Sequence, residues 1–305
     1  MPFCPDLRLA GKTGSEANVM SGGAWRRRFS GRGTAPENEQ EGNMYDYHTH
    51  SFFSGDSKTP LEEMVARAVS LGLVEYAVTD HFDPDYPDYP FTLSFPEYHA
   101  ELIRLEALYR EKIRLVKGIE VGIQHGDTLK KCSAAVNAFP YDFVLGSFHC
   151  AEGFDICRKD FFAGRSLEDA YIVFYSYMLD CLKKFKDYDV LSHFNVIDRY
   201  VDRIPDDEVY MDIVEKIIDI LVADGKGIEI NTSSFRYGMG ERTLPSAAIL
   251  ARYVKMGGEI ITTGSDAHRA KDVGYMLDHA REMIKAAGLN RIASFKNREV
   301  RFVAL

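Results

Sequence analysis

The sequence predicts an α/β fold, a closed or distorted barrel of parallel strands alternating with helices. Three observations carry that expectation. Short β-type runs alternate with helix-length amphipathic patterns from Tyr45 to the C-terminus, as in parallel strands joined by helical crossovers. The count is about seven strands over roughly 260 residues, which suits a barrel better than an open sheet. Histidine-rich motifs recur at the ends of the predicted strands, where barrel strands converge on one face.

The elements follow in order. Residues 1–43 stand apart: they are rich in Gly, Ser, Arg, Glu and Asn, contain Arg26-Arg27-Arg28, and show no sustained apolar periodicity. A disordered extension is expected there. The natural start is expected at Met44, directly before the first motif, with residues 44–305 forming one folded domain. Thr59-Pro60-Leu61-Glu62 reads as a helix start, with Thr59 at N-cap, Pro60 at N1 and Glu62 at N3. Met64, Val65, Ala68 and Leu71 carry that helix to Gly72. Strands are expected at residues 74–79, 115–121, 142–148, 189–194, 227–232 and 259–263. Helices are expected at residues 97–112, 166–185, 207–224, 247–256 and 272–287. No internal repeat is apparent.

Composition narrows the function. With 305 residues and 46% hydrophobic content, the chain can bury a large core. A net charge of −9 argues against an extended nucleic-acid partner. It leaves an anionic small molecule open, because bound cations reverse the sign of a site locally. The five cysteines form no CxxC pair, so reduced thiols and a cytoplasmic setting are expected. No apolar run reaches the length of a membrane span, and no secretory segment is expected.

The chemistry lies in short segments at predicted strand ends. These are Asp46-Tyr47-His48-Thr49-His50, Thr79-Asp80-His81, Gly146-Ser147-Phe148-His149, Ser192-His193 and Gly264-Ser265-Asp266-Ala267-His268. Six of the nine histidines fall in them. His48 and His50 are two apart, so on an extended chain both face the same way, and Asp266 and His268 repeat the pattern. Glu120, in Gly118-Ile119-Glu120, ends another predicted strand. Imidazole and carboxylate are donors that Zn, Mn and Fe(II) accept. A lone His-x-His would more often be structural; the concentration at strand ends points to a metal site.

These motifs, in this order, resemble the polymerase and histidinol phosphatase (PHP) superfamily from about Tyr45 to Leu305. Asp189-Val190-Leu191-Ser192-His193-Phe194-Asn195, Gly227-Ile228-Glu229-Ile230-Asn231-Thr232 and Thr263-Gly264-Ser265-Asp266-Ala267-His268 resemble its histidinol-phosphatase branch most. The resemblance implies a distorted seven-stranded β/α barrel with two or three divalent ions (Zn, Mn or Fe) at the C-terminal strand ends. One ion would take His48, His50, Glu120 and Asp266. A second would take Glu120, His149 and His193, with Glu120 bridging. A third would take Asp56, His81 and His268. Many relatives carry His where Asp56 stands, so Asp56 is read here either as a ligand or as a cap of the following turn. Asp80 is expected to orient a ligand rather than to bind.

The implied activity is a phosphomonoesterase, with L-histidinol phosphate converted to L-histidinol in histidine biosynthesis. Another phosphoesterase of this superfamily, or a noncatalytic metal-binding module, are the alternatives. Metals at such a site generate a nucleophile near neutral pH and neutralise phosphate oxygens. Glu120, Asp266 and His268 would share the catalytic work, the leaving alkoxide taking its proton from Asp266, His268 or a water on the third metal. Arg199 and Arg236 are expected to clamp the phosphate, since guanidinium suits a terminal monoester. The tract Asp83 to Phe91 is read either as an ordered loop over the pocket mouth or as a passive connector. His99, His125 and His279 are expected outside the site. Nothing in the pattern speaks to oligomeric state.

Overall fold

The computed structural model describes residues 44–305 except 88 and 241. The expectations for residues 1–43, including the start at Met44, lie outside the described residues.

Along the chain, β1 (Tyr45–Asp46) leads to α1 (Leu61–Ser70), β2 (Glu75–Val78), β3 (His81–Phe82), α2 (Phe95–Tyr109), β4 (Arg114–Gly122), α3 (Thr128–Asn137) and β5 (Phe143–Ser147). A small hairpin of β6 (Cys150–Ala151) and β7 (Phe154–Asp155) follows, then α4 (Lys159–Phe162), α5 (Leu167–Leu182) and β8 (Val190–Leu191). The chain continues through α6 (Met211–Ala223), β9 (Gly227–Asn231), α7 (Ala247–Lys255), β10 (Ile261–Gly264) and α8 (Leu277–Ala286). It ends in an antiparallel hairpin of β11 (Arg291–Lys296) and β12 (Glu299–Ala304).

The main strands run in parallel in the order β1-β2-β4-β5-β8-β9-β10. Between the outer two, the Tyr47 N–H donates to the Thr263 carbonyl (2.8 Å) and the Asp266 N–H to the His48 carbonyl (2.7 Å). The result is a seven-stranded barrel, as the sequence predicts. Its distortion has a local cause. β2 pairs with β4 as far as Val78↔Lys117; the chain then breaks at Thr79-Asp80 and resumes as β3, pairing His81↔Glu120. That break sets His81 beside Glu120.

Helix ends follow from caps. The Ser166 and Ser246 side chains accept from the Asp169 and Ile249 amides at the starts of α5 and α7. Two expectations need correction. Thr59 does not cap α1: its hydroxyl donates to the His268 carbonyl (3.3 Å), and the helix starts on Pro60. α8 begins five residues later than expected, because Gly274 and Met276 take left-handed backbone and the Gly274 amide is tied to Asp46 (2.9 Å). The sequence reading also missed α3 and the terminal hairpin.

Val78, Ile119, Val144, Leu145, Ile230 and Ile261 are fully or almost fully buried in the strands, and Tyr171, Phe174 and Tyr175 of α5 pack into the same core. At the N-terminal end the terminal hairpin joins it, with Phe295 against Tyr47 and Phe143.

Candidate metal centre

At the opposite end, strand termini carry imidazoles and carboxylates inward. His48 and His50 follow β1, and their Nε2 atoms face each other at 2.9 Å. Glu120 Oε2 lies 3.4 and 3.5 Å from those nitrogens, and Asp266 Oδ1 lies 3.8 and 3.5 Å away. The other Glu120 oxygen, Oε1, faces His193 Nε2 (3.2 Å) and His149 Nε2 (3.5 Å). Asp56 Oδ2 stands 3.0 Å from His268 Nε2 and 3.7 Å from His81 Nε2. His81 Nδ1 in turn is 2.8 Å from Glu120 Oε2. All nine expected residues therefore converge, and Glu120 faces two groups with different oxygens. His193 and Asp266 sit in positive-φ backbone (20° and 54°), an uncommon conformation that the surrounding contacts must hold.

Among the described residues, Asp56 Oδ1, Asp83 Oδ2 and His193 Nδ1 are buried without a hydrogen-bond partner, and Glu120 Oε2 has no well-formed hydrogen bond although His81 Nδ1 lies 2.8 Å away. Buried carboxylate oxygens without donors are costly unless a cation compensates them. Titration behaviour says the same. Burial alone would raise the Glu120 carboxyl, but His48, His81 and His149 hold it well below the carboxylate range. Burial likewise opposes, and His48, His268 and Arg199 overcome it, in holding Asp266 low. Against burial, the Asp83 and Glu120 carboxylates push His149 up to about 10, and Asp56 pushes His268 up to about 9. Burial, then His81 and His268, press His50 well below its usual value. The cluster demands positive charge, which protons or divalent cations can supply. Its mixed N/O donors fit Zn, Mn or Fe.

A second layer fixes the rings, and the sequence reading missed most of it. Glu229 accepts from His48 Nδ1 (2.7 Å) and Asp83 from His149 Nδ1 (2.9 Å), leaving both Nε2 lone pairs directed inward. Asp80 acts one step removed, as expected of an orienter: it accepts from Ser54 Oγ (2.7 Å), which lies 3.0 Å from His50 Nδ1. Two glycines make room. A Cβ on Gly122 would lie 1.7 Å from Asp83 Oδ1, and one on Gly264 would lie 2.1 Å from Glu229 Oε1. A carboxylate inside an otherwise apolar strand, as in Gly227-Ile228-Glu229-Ile230, was the available signal for Glu229.

The cluster opens into a cleft of about 420 Å³, lined by Asp56, His81, His149, His193, Asp266 and His268 together with Lys58, Arg199, Tyr200, Arg236, Tyr237, Arg269 and Asp272. Glu120 does not line it; this carboxylate is sealed beneath the histidines. Arg199 Nη2 donates to Ser233 Oγ (2.8 Å), its guanidinium lies over the Tyr237 ring (4.3 Å), and its Nε has no partner. Arg236 reaches the cleft with two nitrogens already donating to the Ser265 and Asp266 carbonyls (2.7 and 2.8 Å). No hydrogen bond ties Asp56 to a turn amide among the described residues, so the turn-cap reading is not supported. None of the described residues from Asp83 to Phe91 lines the cleft. Asp83 and Phe91 bridge each other, Asp83 supports His149, and Phe91 packs near His81 (ring centroids 5.8 Å), so the tract props the site from behind. His99, His125 and His279 lie elsewhere, against Tyr141, Cys181 and Phe235.

A family model described as PHP domain matches residues 46–233, from the first His-x-His motif to the end of β9. The chain belongs to the PHP family. A PHP relative named histidinol-phosphatase, from Lactococcus lactis, is 31% identical over 84% of this chain and 95% of its own length. A probable histidinol-phosphatase from Clostridium acetobutylicum is 28% identical over 82% of this chain and 96% of its own. The crystal structure of a histidinol phosphate phosphatase from Lactococcus lactis, complexed with zinc, L-histidinol and phosphate, is similar to this fold with a TM-score of 0.78. It is 29% identical, and the match covers 85% of this chain and 99% of that one. No helix among the described residues is long and apolar enough to cross a membrane.

Proposed function

We propose that this PHP protein is a histidinol-phosphatase, a metal-dependent phosphomonoesterase that hydrolyses L-histidinol phosphate to L-histidinol and phosphate in histidine biosynthesis, in the cytoplasm. One observation carries the reading. A cluster of nine imidazole and carboxylate ligands opens into the same small cleft as Arg199 and Arg236. The likeness to the Lactococcus lactis enzyme along nearly its whole length supports the substrate.

His48, His50, Glu120 and Asp266 would hold one ion; Glu120, His149 and His193 a second; Asp56, His81 and His268 a third. Ions held there supply Lewis acidity and a nucleophile at neutral pH. The remaining work belongs to side chains. Arg199 would offer its positive charge to the phosphate from the cleft wall. Arg236 adds charge while anchoring the loop that carries Asp266 and His268. Asp266 and His268 line the cleft; with Asp266 held ionised, the leaving alkoxide would take its proton from His268 or from a water on the third ion. Glu120 holds the cluster together from below. The size of the cleft suits a small phosphate ester.

Phosphate release from metal-reconstituted protein tests this. The kcat/KM for L-histidinol phosphate is expected to exceed that for nucleoside monophosphates by at least about 100-fold. Equal rates would make the protein a broader phosphatase, and no turnover of any ester would make it a binding module. Elemental analysis of Asp56→Ala and Asp56→His against the parent tests the third ion: Ala should lose it and His should keep it.

A further inference from the structure

β9 ends in a chain of buried polar groups that joins the two halves of the site. His48 Nδ1 donates to Glu229 Oε1 (2.7 Å). The second Glu229 oxygen accepts from the His193 amide (2.9 Å) and from Asn231 Nδ2 (3.1 Å). Asn231 Nδ2 also lies 3.4 Å from Asp266 Oδ2. The Asn231 side-chain oxygen, Oδ1, accepts from the Ser233 amide (3.0 Å) and the Ser233 hydroxyl. Ser233 Oγ then accepts from Arg199 Nη2 (2.8 Å). Glu229, Asn231 and Ser233 are at most 1% exposed, so water does not compete for these bonds.

The amide of Asn231 has one workable orientation. Its NH₂ faces two carboxylates and its oxygen faces two donors; the reverse would set oxygen against oxygen on one side and donor against donor on the other. No carboxylate or hydroxyl could serve both sides, since one lacks donors and the other lacks reach. We infer that Asn231 and Ser233 are positioning residues that hold the phosphate-binding guanidinium of Arg199 in fixed register with the metal ligands His48, His193 and Asp266. The inference rests on the phosphatase reading above. It goes further in assigning to Asn231 and Ser233, which line none of the cleft, a share in fixing the spacing between metal cluster and phosphate clamp, beside the direct approach of Arg199 Nη2 to Asp266 Oδ2 (3.6 Å).

The test uses the full chain loaded with zinc. Three readouts are followed: zinc content, affinity for inorganic phosphate by calorimetry, and KM against kcat for a phosphate monoester. Ser233→Ala cuts only the arm to Arg199. It is expected to keep zinc content, to weaken phosphate binding and raise KM about tenfold, and to change kcat much less. Asn231→Ala cuts both arms and is expected to lower zinc content as well. Combining Ser233→Ala with Arg199→Ala should add nothing to the KM of Arg199→Ala alone, because the hydroxyl acts only through that guanidinium. A full additional tenfold in the double variant, or unchanged phosphate affinity in Ser233→Ala, would overturn the inference. If the parent protein binds neither phosphate nor any monoester, the phosphatase reading fails instead, and zinc loss in Asn231→Ala still reports on the metal side of the chain.

Discussion

At the N-terminal end of the barrel, Glu75 accepts from Arg114 Nη1 (2.6 Å), from Ser294 (2.9 Å) and from the Tyr47 hydroxyl. At the C-terminal end, Glu120 sits among imidazoles, with His81 Nδ1 2.8 Å from its Oε2 yet no well-formed hydrogen bond to that oxygen. Both carboxylates are buried in neighbouring strands of one sheet. Asp142 and Asp189 repeat the first pattern: the Asn297 amide (3.0 Å) and the Arg298 guanidinium (3.1 Å) of the terminal hairpin satisfy them. Asp56 and Asp83 repeat the second, each with one oxygen left over. The difference teaches how the work is divided. One end uses carboxylates with permanent partners to lock the hairpin over the barrel. The other withholds partners, so that the unmet demand for positive charge falls on exchangeable cations.

The contrast can be broken experimentally. The largest effect should come from Glu120→Gln, which removes the charge that faces both groups of donors. The kcat/KM is expected to fall at least about a thousandfold, with lower metal content by elemental analysis. A loss below tenfold would mean that Glu120 resembles Glu75 after all. Next is Arg199→Ala, expected to raise KM about 10- to 100-fold with metal content intact. Unchanged KM would remove Arg199 from the clamp. At the opposite end, Arg114→Ala should cost about 2 kcal/mol of stability and leave kcat unchanged. In a thermal melt that is a drop of roughly 5 °C. A change in kcat without a change in melting temperature would erase the division between the ends.

The smallest expected effect is on pH dependence. His268 and His149, raised to about 9 and about 10, are more basic folded than in an unfolded chain. Their contribution to metal-free stability is full below the ordinary histidine value and is lost as pH rises through those two values. Urea midpoints of chelated protein should therefore fall between pH 7 and pH 10 by this contribution. Saturating zinc should abolish the trend, because the cations take the place of the protons. Chelated protein that gained stability over that range would contradict the charge demand assigned to the cluster.

Much of this was legible in one dimension. Alternating strand and helix patterns located six strands and most helices, and strand-end motifs located the imidazoles and carboxylates that converge at the C-terminal end of the barrel. Where the reading failed, the missing information was long-range. Thr59 has the right spacing to cap α1, yet its hydroxyl is drawn to the His268 carbonyl across the barrel. The proline- and tyrosine-rich tract after His81 is open to two readings, a loop at the pocket mouth or a passive connector, and its composition does not choose between them. It lies behind the ligands because Asp83 reaches His149.

From sequence alone, the kinds of donor and their placement at strand ends were determined, since side-chain direction alternates along a strand and parallel strands share one C-terminal face. Only the tertiary structure decided which carboxylates are satisfied and which are left for a cation. Glu75 and Glu120 are the same residue type in buried strands. What separates them is the neighbour that closure of the barrel delivers: Arg114 and a hairpin at one end, a ring of imidazoles at the other. Burial makes each buried charge require a partner, and the fold alone chooses whether that partner is covalently part of the chain.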